Sequence, residues 1–361
     1  MEQLEQDIRD RLAGDVDPYL GCDLASAGAI REITVAGRSA TVAIELGFPV
    51  DRYRDELVAR LQGVLGGLGD AEITFEITAR ILAREVQKGT KPLPEVRNII
   101  AVASGKGGVG KSTTAANLAI ALQQEGARVG VLDADIYGPS QTRMLATQGR
   151  PESRDGKSME PRVSYQLQTM SVGNLIEEDT PMIWRGPMVT GALEQLLNDT
   201  NWHDLDYLIV DLPPGTGDIQ LTLCQRIPVS GAIIVTTPQD IALLDARKGL
   251  KMFEKVNVPV LGIVENMSVH ICSNCGHAEH IFGSGGGESM AKQYGVDLLG
   301  ALPLDISIRE GVDSGRPTVA IEPESRIAQM YREIARSAAA RLALRARDFS
   351  ARFPKIVIQN T

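Results

Sequence analysis

Two cysteines, Cys272 and Cys275, stand at a C-x-x-C spacing within HICSNCGH, in a chain of 361 residues that has four cysteines in all. Two thiolates are half of a tetrahedral metal site, and half a site holds a metal poorly. Cys22 and Cys224 match no ligand pattern and read as small buried apolar residues. A second chemical stretch, GKGGVGKS from Gly105 to Ser112, satisfies G-x-x-x-x-G-K-[ST]. Gly105, Gly107, Gly108 and Gly110 let the backbone turn its N–H groups inward around phosphate oxygens, with Val109 and Thr113 completing the loop. Lys111 supplies a point charge for the β- and γ-phosphates of a nucleotide such as ATP, and the Ser112 hydroxyl is a magnesium ligand.

The elements that must position these groups follow from the pattern of apolar residues. NIIAVAS, RVGVLDA, DYLIVDL, GAIIVTT and PVLGIVEN are near-continuous apolar runs, as parallel strands covered on both faces should be. Between them lie helical stretches such as KSTTAANLAIALQQEG, with Ala115, Leu118, Ala119 and Leu122 on one stripe and Gly126 as the stop. The pattern is α/β, a doubly wound, mainly parallel sheet of the P-loop NTPase type. The phosphate loop sits where that architecture wants it, after a strand and opening a helix.

Three carboxylates end strands on the same side. Asp133 and Asp135 close RVGVLDAD, and Asp211 closes DYLIVDL, the position of a carboxylate on the water shell of magnesium. Aspartates also end strands for no reason but solvation, so the weight lies in all three occurring beside a phosphate loop. Asp135 is placed to orient water or the magnesium shell, with Asp133 as the alternative for that role.

Residues 1–83 read as a small α/β domain in front. A helix carries Leu4, Ile8 and Leu12, a hairpin turns at Gly37, a second helix shows Leu57, Leu61 and Leu65, and AEITFEIT is a strand. Residues 84–97, charged and broken by Gly89, Pro92 and Pro94, read as a linker. The ATPase domain is expected over 98–353 and a tail over 354–361. Within it, residues 146–164 look like an exposed polar insertion, and a helix rich in arginine, with a solvated basic face, follows Pro323 to about Phe353.

The formal charge of −9 argues against nucleic acid as the partner. No apolar run approaches a membrane span, and MEQLEQDIRD lacks the features of a secretory signal. Reduced thiols in a cytoplasm are expected, without stable membrane association.

Lys106 is the residue that an ordinary phosphate loop does not need. With it, KGGVGKST resembles the deviant Walker A family, which includes the MinD and ParA positioning ATPases, the nitrogenase iron protein and the Mrp/ApbC proteins. In that family the early lysine reaches the nucleotide of a facing subunit, which implies that role for Lys106 and a homodimer that closes on ATP. GVLDADIYGPS, IVDLPPGTGD, GIVENMS, the C-x-x-C with IFGSGGGE, GALPLD and IREGVDSGRP resemble the Mrp/ApbC group in order and spacing, over nearly all of residues 84–322. The resemblance implies an ATP-hydrolysing carrier that hands iron–sulfur clusters to apo-proteins, working with other cluster-assembly factors. It also implies adenine contacts from Asn266 and near Pro303. Two copies of Cys272 and Cys275 around a two-fold axis would give four thiolates, which suit a four-iron four-sulfur cluster or a zinc.

Other readings of the pair stand beside this one: a zinc site closed by His277 and His280, a thioredoxin-like redox pair, and a structural pair without metal. At the level of the whole chain, the alternatives are a positioning ATPase and a cluster-dependent reductase. The first domain, with DPYLGCDLASAGAIREI, resembles a small iron–sulfur-assembly domain. It reads LGFPVDRY where that domain commonly carries a reactive cysteine, so docking is the role expected of it.

Overall fold

A computed structural model describes residues 2–68, 71–175, 186–272 and 274–346. The first domain runs α1 (Glu2–Ala13), β1 (Ile30–Ala36), β2 (Ser39–Leu46), α2 (Arg54–Leu65) and β3 (Glu72–Ala79). β1 and β2 form the expected hairpin, antiparallel, and β3 joins β2 in parallel. The two helices cover one face, with Ile8, Leu12, Leu57 and Leu61 fully buried.

The second domain begins with β4 (Val96–Ala103), α3 (Lys111–Gln124), β5 (Val129–Asp133), α4 (Gln141–Met144), β6 (Arg162–Ser164) and β7 (Leu167–Ser171). It continues through α5 (Gly186–Asp199), β8 (Leu205–Asp211), α6 (Asp218–Arg226), β9 (Gly231–Thr236), α7 (Asp240–Lys255) and β10 (Val260–Glu265). A short hairpin of β11 (His270–Ile271) and β12 (Ala278–Glu279) precedes α8 (Gly286–Tyr294), β13 (Leu298–Ala301), α9 (Ile306–Asp313), α10 (Thr318–Ile321) and α11 (Arg326–Ala343).

The large sheet has the order β13-β10-β9-β4-β8-β5-β7-β6, parallel except for β6 at its edge. From β4 the chain first travels outward to β5, later returns to fill the gap with β8, and then crosses to β9 on the other side. That reversal opens a crevice above the carboxyl end of β4, where an open sheet binds its ligand. Alternate residues of each strand serve different cores. Ile100, Val102 and Ile209 face one, while Ile99, Ala101 and Leu208 face the other.

The insertion at 146–164 is exposed along most of its length but ends in the edge strand β6, which pairs with β7. The arginine-rich helix differs from its sequence reading. α11 ends at Ala343, and the expected extension to Phe353, with the tail at 354–361, lies outside the described residues. Its basic side chains are not all solvated, because Arg332 and Arg336 are buried. Arg332 donates to the Pro323 carbonyl. Arg336 pairs with Glu125 at 2.7 Å, donates to the Tyr19 hydroxyl at 3.0 Å, and lies over the rings of Tyr19 and Tyr53. The docked first domain provides the surface that covers it. Among the described residues no helix is long and apolar enough to cross a membrane.

The charged linker is also tied down. Arg84 and Gln87 are buried, and Gln87 bonds the Cys224 carbonyl and the Val229 N–H. In the first domain, Asp17 of the DPYLG stretch accepts from two backbone N–H groups, the Tyr53 hydroxyl and Arg60. Phe48 and Val50 of LGFPVDRY are core residues, and a Cβ on Gly47 would sit 2.9 Å from that of Ala343 in α11. The turn that would carry a reactive cysteine is packed against the second domain.

Glu125 closes α3, the helix that the phosphate loop opens, so the Arg336–Glu125 pair links both domains to that helix. Breaking a buried pair from one side leaves a charge without compensation, and Arg336→Met should cost about 3–5 kcal/mol. The shift of the urea unfolding midpoint measures it. Adding Glu125→Gln should recover part of the loss, whereas additive losses would show that the two groups do not act as a pair.

Candidate nucleotide site and cysteine hairpin

The loop from Gly105 to Gly110 leaves β4 and delivers Lys111 and Ser112 to the first turn of α3. Two of its glycines are required by close approach. A Cβ on Gly105 would collide with the backbone of Asp245 in α7, and one on Gly110, at φ 81°, would strike the Asn266 amide. The loop lines a cleft of about 210 Å³ together with Lys111, Ser112, Thr113, Asp135 and Ser140.

Lys111 is 5% exposed and pairs with Asp211, which is fully buried; its Nζ also lies 3.2 Å from Ser112 Oγ. The other Asp211 oxygen accepts from Gln141 Nε2 at 2.8 Å, and the same nitrogen holds the Ser112 carbonyl at 2.9 Å. Gln141, at the start of α4, therefore ties Ser112 to the strand-end carboxylate. Nothing marked it in YGPSQT, where the proline and serine signal a turn but not a ligand. Among the described residues Gln141 Oε1 and Ser140 Oγ, both buried, have no partner, and a hydrated magnesium–nucleotide would satisfy them. The donors here fit magnesium, which is bound through few protein oxygens and keeps its waters.

Asp133 and Asp211 are register partners on neighbouring strands. Burial, and then the adjacent Asp211 carboxylate, push Asp133 up to about 7. Its oxygens are already engaged by the N–H groups of Asp135, Ser140 and Gln141 and by the Ser171 hydroxyl, at 3.0–3.1 Å. Asp133, read from the sequence as a magnesium or water ligand, spends these contacts on the loop that carries Asp135 and Gln141. Asp135 lines the cleft itself, with burial as the main cause that raises its carboxyl. The PPGTGD loop is drawn onto the phosphate loop, where Gly215 N–H bonds the Ser104 carbonyl and Gln220 Nε2 bonds that of Pro214.

Lys106 is half-buried and reaches Gln239 Oε1 at 3.4 Å within its own chain. Asn266 lies at the end of β10 and donates from Nδ2 to the Val109 carbonyl at 2.9 Å. Pro303 is buried between Leu302 and Leu304, whose N–H groups bond Glu265 and Val269 on either side of Asn266.

Cys272 and Cys275 sit at the tip of the β11–β12 hairpin, which begins four residues after Asn266. Cys272 N–H bonds the His277 carbonyl, and Gly276 N–H turns back to the Cys272 carbonyl. The backbone N–H groups of Cys275 and Asn274, and then the Cys275 thiol, hold the Cys272 thiol below its ordinary value. Donors aimed at sulfur favour the thiolate, the form that binds metal. Among the described residues no three His, Cys, Asp or Glu side chains gather around a metal-sized space. Cys224 is buried and its thiol pushed up to about 12, whereas Cys22 is half-buried, less enclosed than its sequence suggested.

Two family models match the chain. The model of the NUBPL iron-transfer P-loop NTPases covers residues 95–339, and that of iron-sulfur cluster assembly proteins covers residues 5–75. The iron-sulfur cluster carrier protein of Pseudomonas fragi is 60% identical over 273 residues, which is 75% of this chain and 94% of that protein. That of Escherichia coli (strain K12) is 51% identical over 348 residues, 94% of this chain and 93% of its own. The iron-sulfur cluster transfer protein NUBPL of Mus musculus is 50% identical over 275 residues, 76% of this chain and 86% of its own. Among solved structures, a nucleotide-binding protein from Archaeoglobus fulgidus in complex with ADP superposes with a TM-score of 0.56 at 34% identity. It covers 66% of this chain and 93% of that one.

The geometry separates the roles of three residues. Lys111→Ala should abolish nucleotide binding, read by calorimetry. Asp135→Ala should bind nucleotide normally and hydrolyse it about 100-fold more slowly. Asp133→Asn, which cannot accept from the facing N–H groups through its amide nitrogen, should instead lose about 1–3 kcal/mol of stability. Full stability in that variant, with hydrolysis lost, would return the catalytic role to Asp133.

Proposed function

The chain belongs to the iron-transfer P-loop NTPase family, and from that premise we propose that it is an ATP-hydrolysing carrier that receives an iron–sulfur cluster on Cys272 and Cys275 and passes it to apo-proteins. The observation that carries this reading is the cysteine hairpin at the end of β10, the strand whose Asn266 also touches the phosphate loop. A positioning ATPase has no use for two thiolates presented in this way. Burial of Arg332 and Arg336 speaks against the basic helix as a grip for membrane or DNA.

The cargo is a four-iron four-sulfur cluster shared across a homodimer, because one chain brings only two thiolates and such a cluster takes four. Lys106 is the residue that senses the partner: with ATP bound it leaves Gln239 for the facing nucleotide. Within one chain, Lys111 exchanges Asp211 for phosphate oxygens. Ser112 and Asp211 would hold magnesium, which would neutralise phosphate charge. Asp135 orients the attacking water. Recipients are apo iron–sulfur proteins, supplied in concert with other cluster-assembly factors in a reducing cytoplasm. The first domain docks and contributes no ligand of its own.

Cys272→Ser and Cys275→Ser should each lose the cluster and keep ATP binding, since either change removes two of four ligands in a symmetric dimer. Lys106→Ala should keep the cluster but lose the ATP response of its transfer. Iron and sulfide per dimer, and transfer to an apo-acceptor with and without ATP, are the measurements. A cysteine variant with a full cluster would end the shared-site reading.

A further inference from the structure

Histidine was weighed above only as a zinc ligand, yet His280 has a definite partner. Its Nδ1 lies 2.7 Å from the Ser268 carbonyl oxygen, which can only accept, so Nδ1 carries the hydrogen. Ser268 is itself fixed, with its N–H and its hydroxyl both on the Leu302 carbonyl at 2.9 and 3.0 Å. Immediately before it stand two residues that touch the phosphate loop. Asn266 bonds the Val109 carbonyl, and the Met267 methyl lies 3.9 Å from the place of a Gly110 Cβ. Met267 takes a φ of 57°, a left-handed conformation that a long side chain keeps only where its surroundings impose it.

The hairpin that presents the cysteines has just two residue pairs, His270 with Glu279 and Ile271 with Ala278. A ribbon of that length does not hold an orientation alone. Its orientation comes from pins at its two feet: His280 on Ser268, and His270 Nδ1 on the Leu304 carbonyl at 3.1 Å. The His280 pin is the one that lands on the segment in contact with the loop.

We propose that His280 is a positioning residue for cluster handover: by gripping the Ser268 carbonyl it makes the cysteine hairpin follow the Asn266–Met267 segment, so that nucleotide at Gly110 is felt at Cys272 and Cys275. This rests on the reading that the two cysteines hold the cargo, but the linkage itself is a property of the polypeptide and is measurable without iron. Two sites joined through one fixed segment are coupled in both directions, so a cluster on the hairpin also changes nucleotide affinity.

The test is the alkylation rate of Cys272 and Cys275 in the full-length apo-chain, with and without magnesium–ATP, followed by mass spectrometry. In the parent the two rates should differ by about 5-fold or more, the lower end of ordinary site-to-site coupling. In His280→Ala they should coincide, with nucleotide affinity as in the parent. His280→Asn, whose side-chain N–H takes the place of Nδ1–H, should restore the difference. An alanine variant with the parent's ratio, an asparagine variant that fails to restore it, or a parent without any difference would each overturn the linkage. Iron and sulfide content of the reconstituted parent is read separately. A parent that responds to nucleotide but holds no cluster sinks the carrier reading and leaves the clamp. One that holds a cluster while His280→Ala responds normally does the reverse.

Discussion

Two carboxylates buried side by side at the end of a parallel sheet set the terms for the rest of this molecule. Register alone brings Asp133 and Asp211 together, and neither can stay charged there without partners. Asp211 takes Lys111, so the cation needed for phosphate is already desolvated and oriented before phosphate arrives. Asp133 takes backbone N–H groups, and in doing so folds the chain after β5 back over the cleft. Gln141 spans what remains, from Asp211 to the first turn of α3. The loop glycines, the PPGTGD turn and the strand order are arrangements around that charge balance. A pair broken on one side would cost more than the pair is worth, and this is why so many of its neighbours are committed.

Much of this was legible in the residues, and the limits are physical. The strands that run apolar on both faces, such as YLIVD and AIIVT, declare themselves because both faces are covered. β7, LQTMS, does not, because its Thr169 and Ser171 are polar although buried, and neither does the edge strand β6, which is partly exposed. The phosphate loop follows from spacing, since backbone geometry at phosphate admits few residue types. Whether a strand-end aspartate faces a ligand or its own loop depends on where the following residues turn, and Asp133 and Asp135 are identical in that respect until folded. Likewise, the arginines of α11 could be counted but not aimed. Arg336 is buried only because Tyr19, Tyr53 and Glu125, all distant in sequence, converge on it.

The cysteine hairpin shows the opposite balance. Its spacing is plain in the sequence, while what tunes it is invisible in the spacing. The N–H groups of Cys275 and Asn274 point at Cys272 because Gly276 closes the turn on the Cys272 carbonyl. The histidines nearby looked like ligands by type and proximity. Folding instead sets His280, with His270 across from it, on backbone carbonyls at the feet of the hairpin.

One apolar core passes without interruption from Ile8, Phe48 and Leu57 of the first domain through Leu118 of α3 to Tyr331 and Leu342 of α11. The segment at 84–97 is thus a border in sequence and not in cohesion. Melting either half would uncover apolar side chains of the other, which ties their stabilities together. The ATPase half produced alone would present the α3 and α11 faces to water and would stick to whatever apolar surface it met.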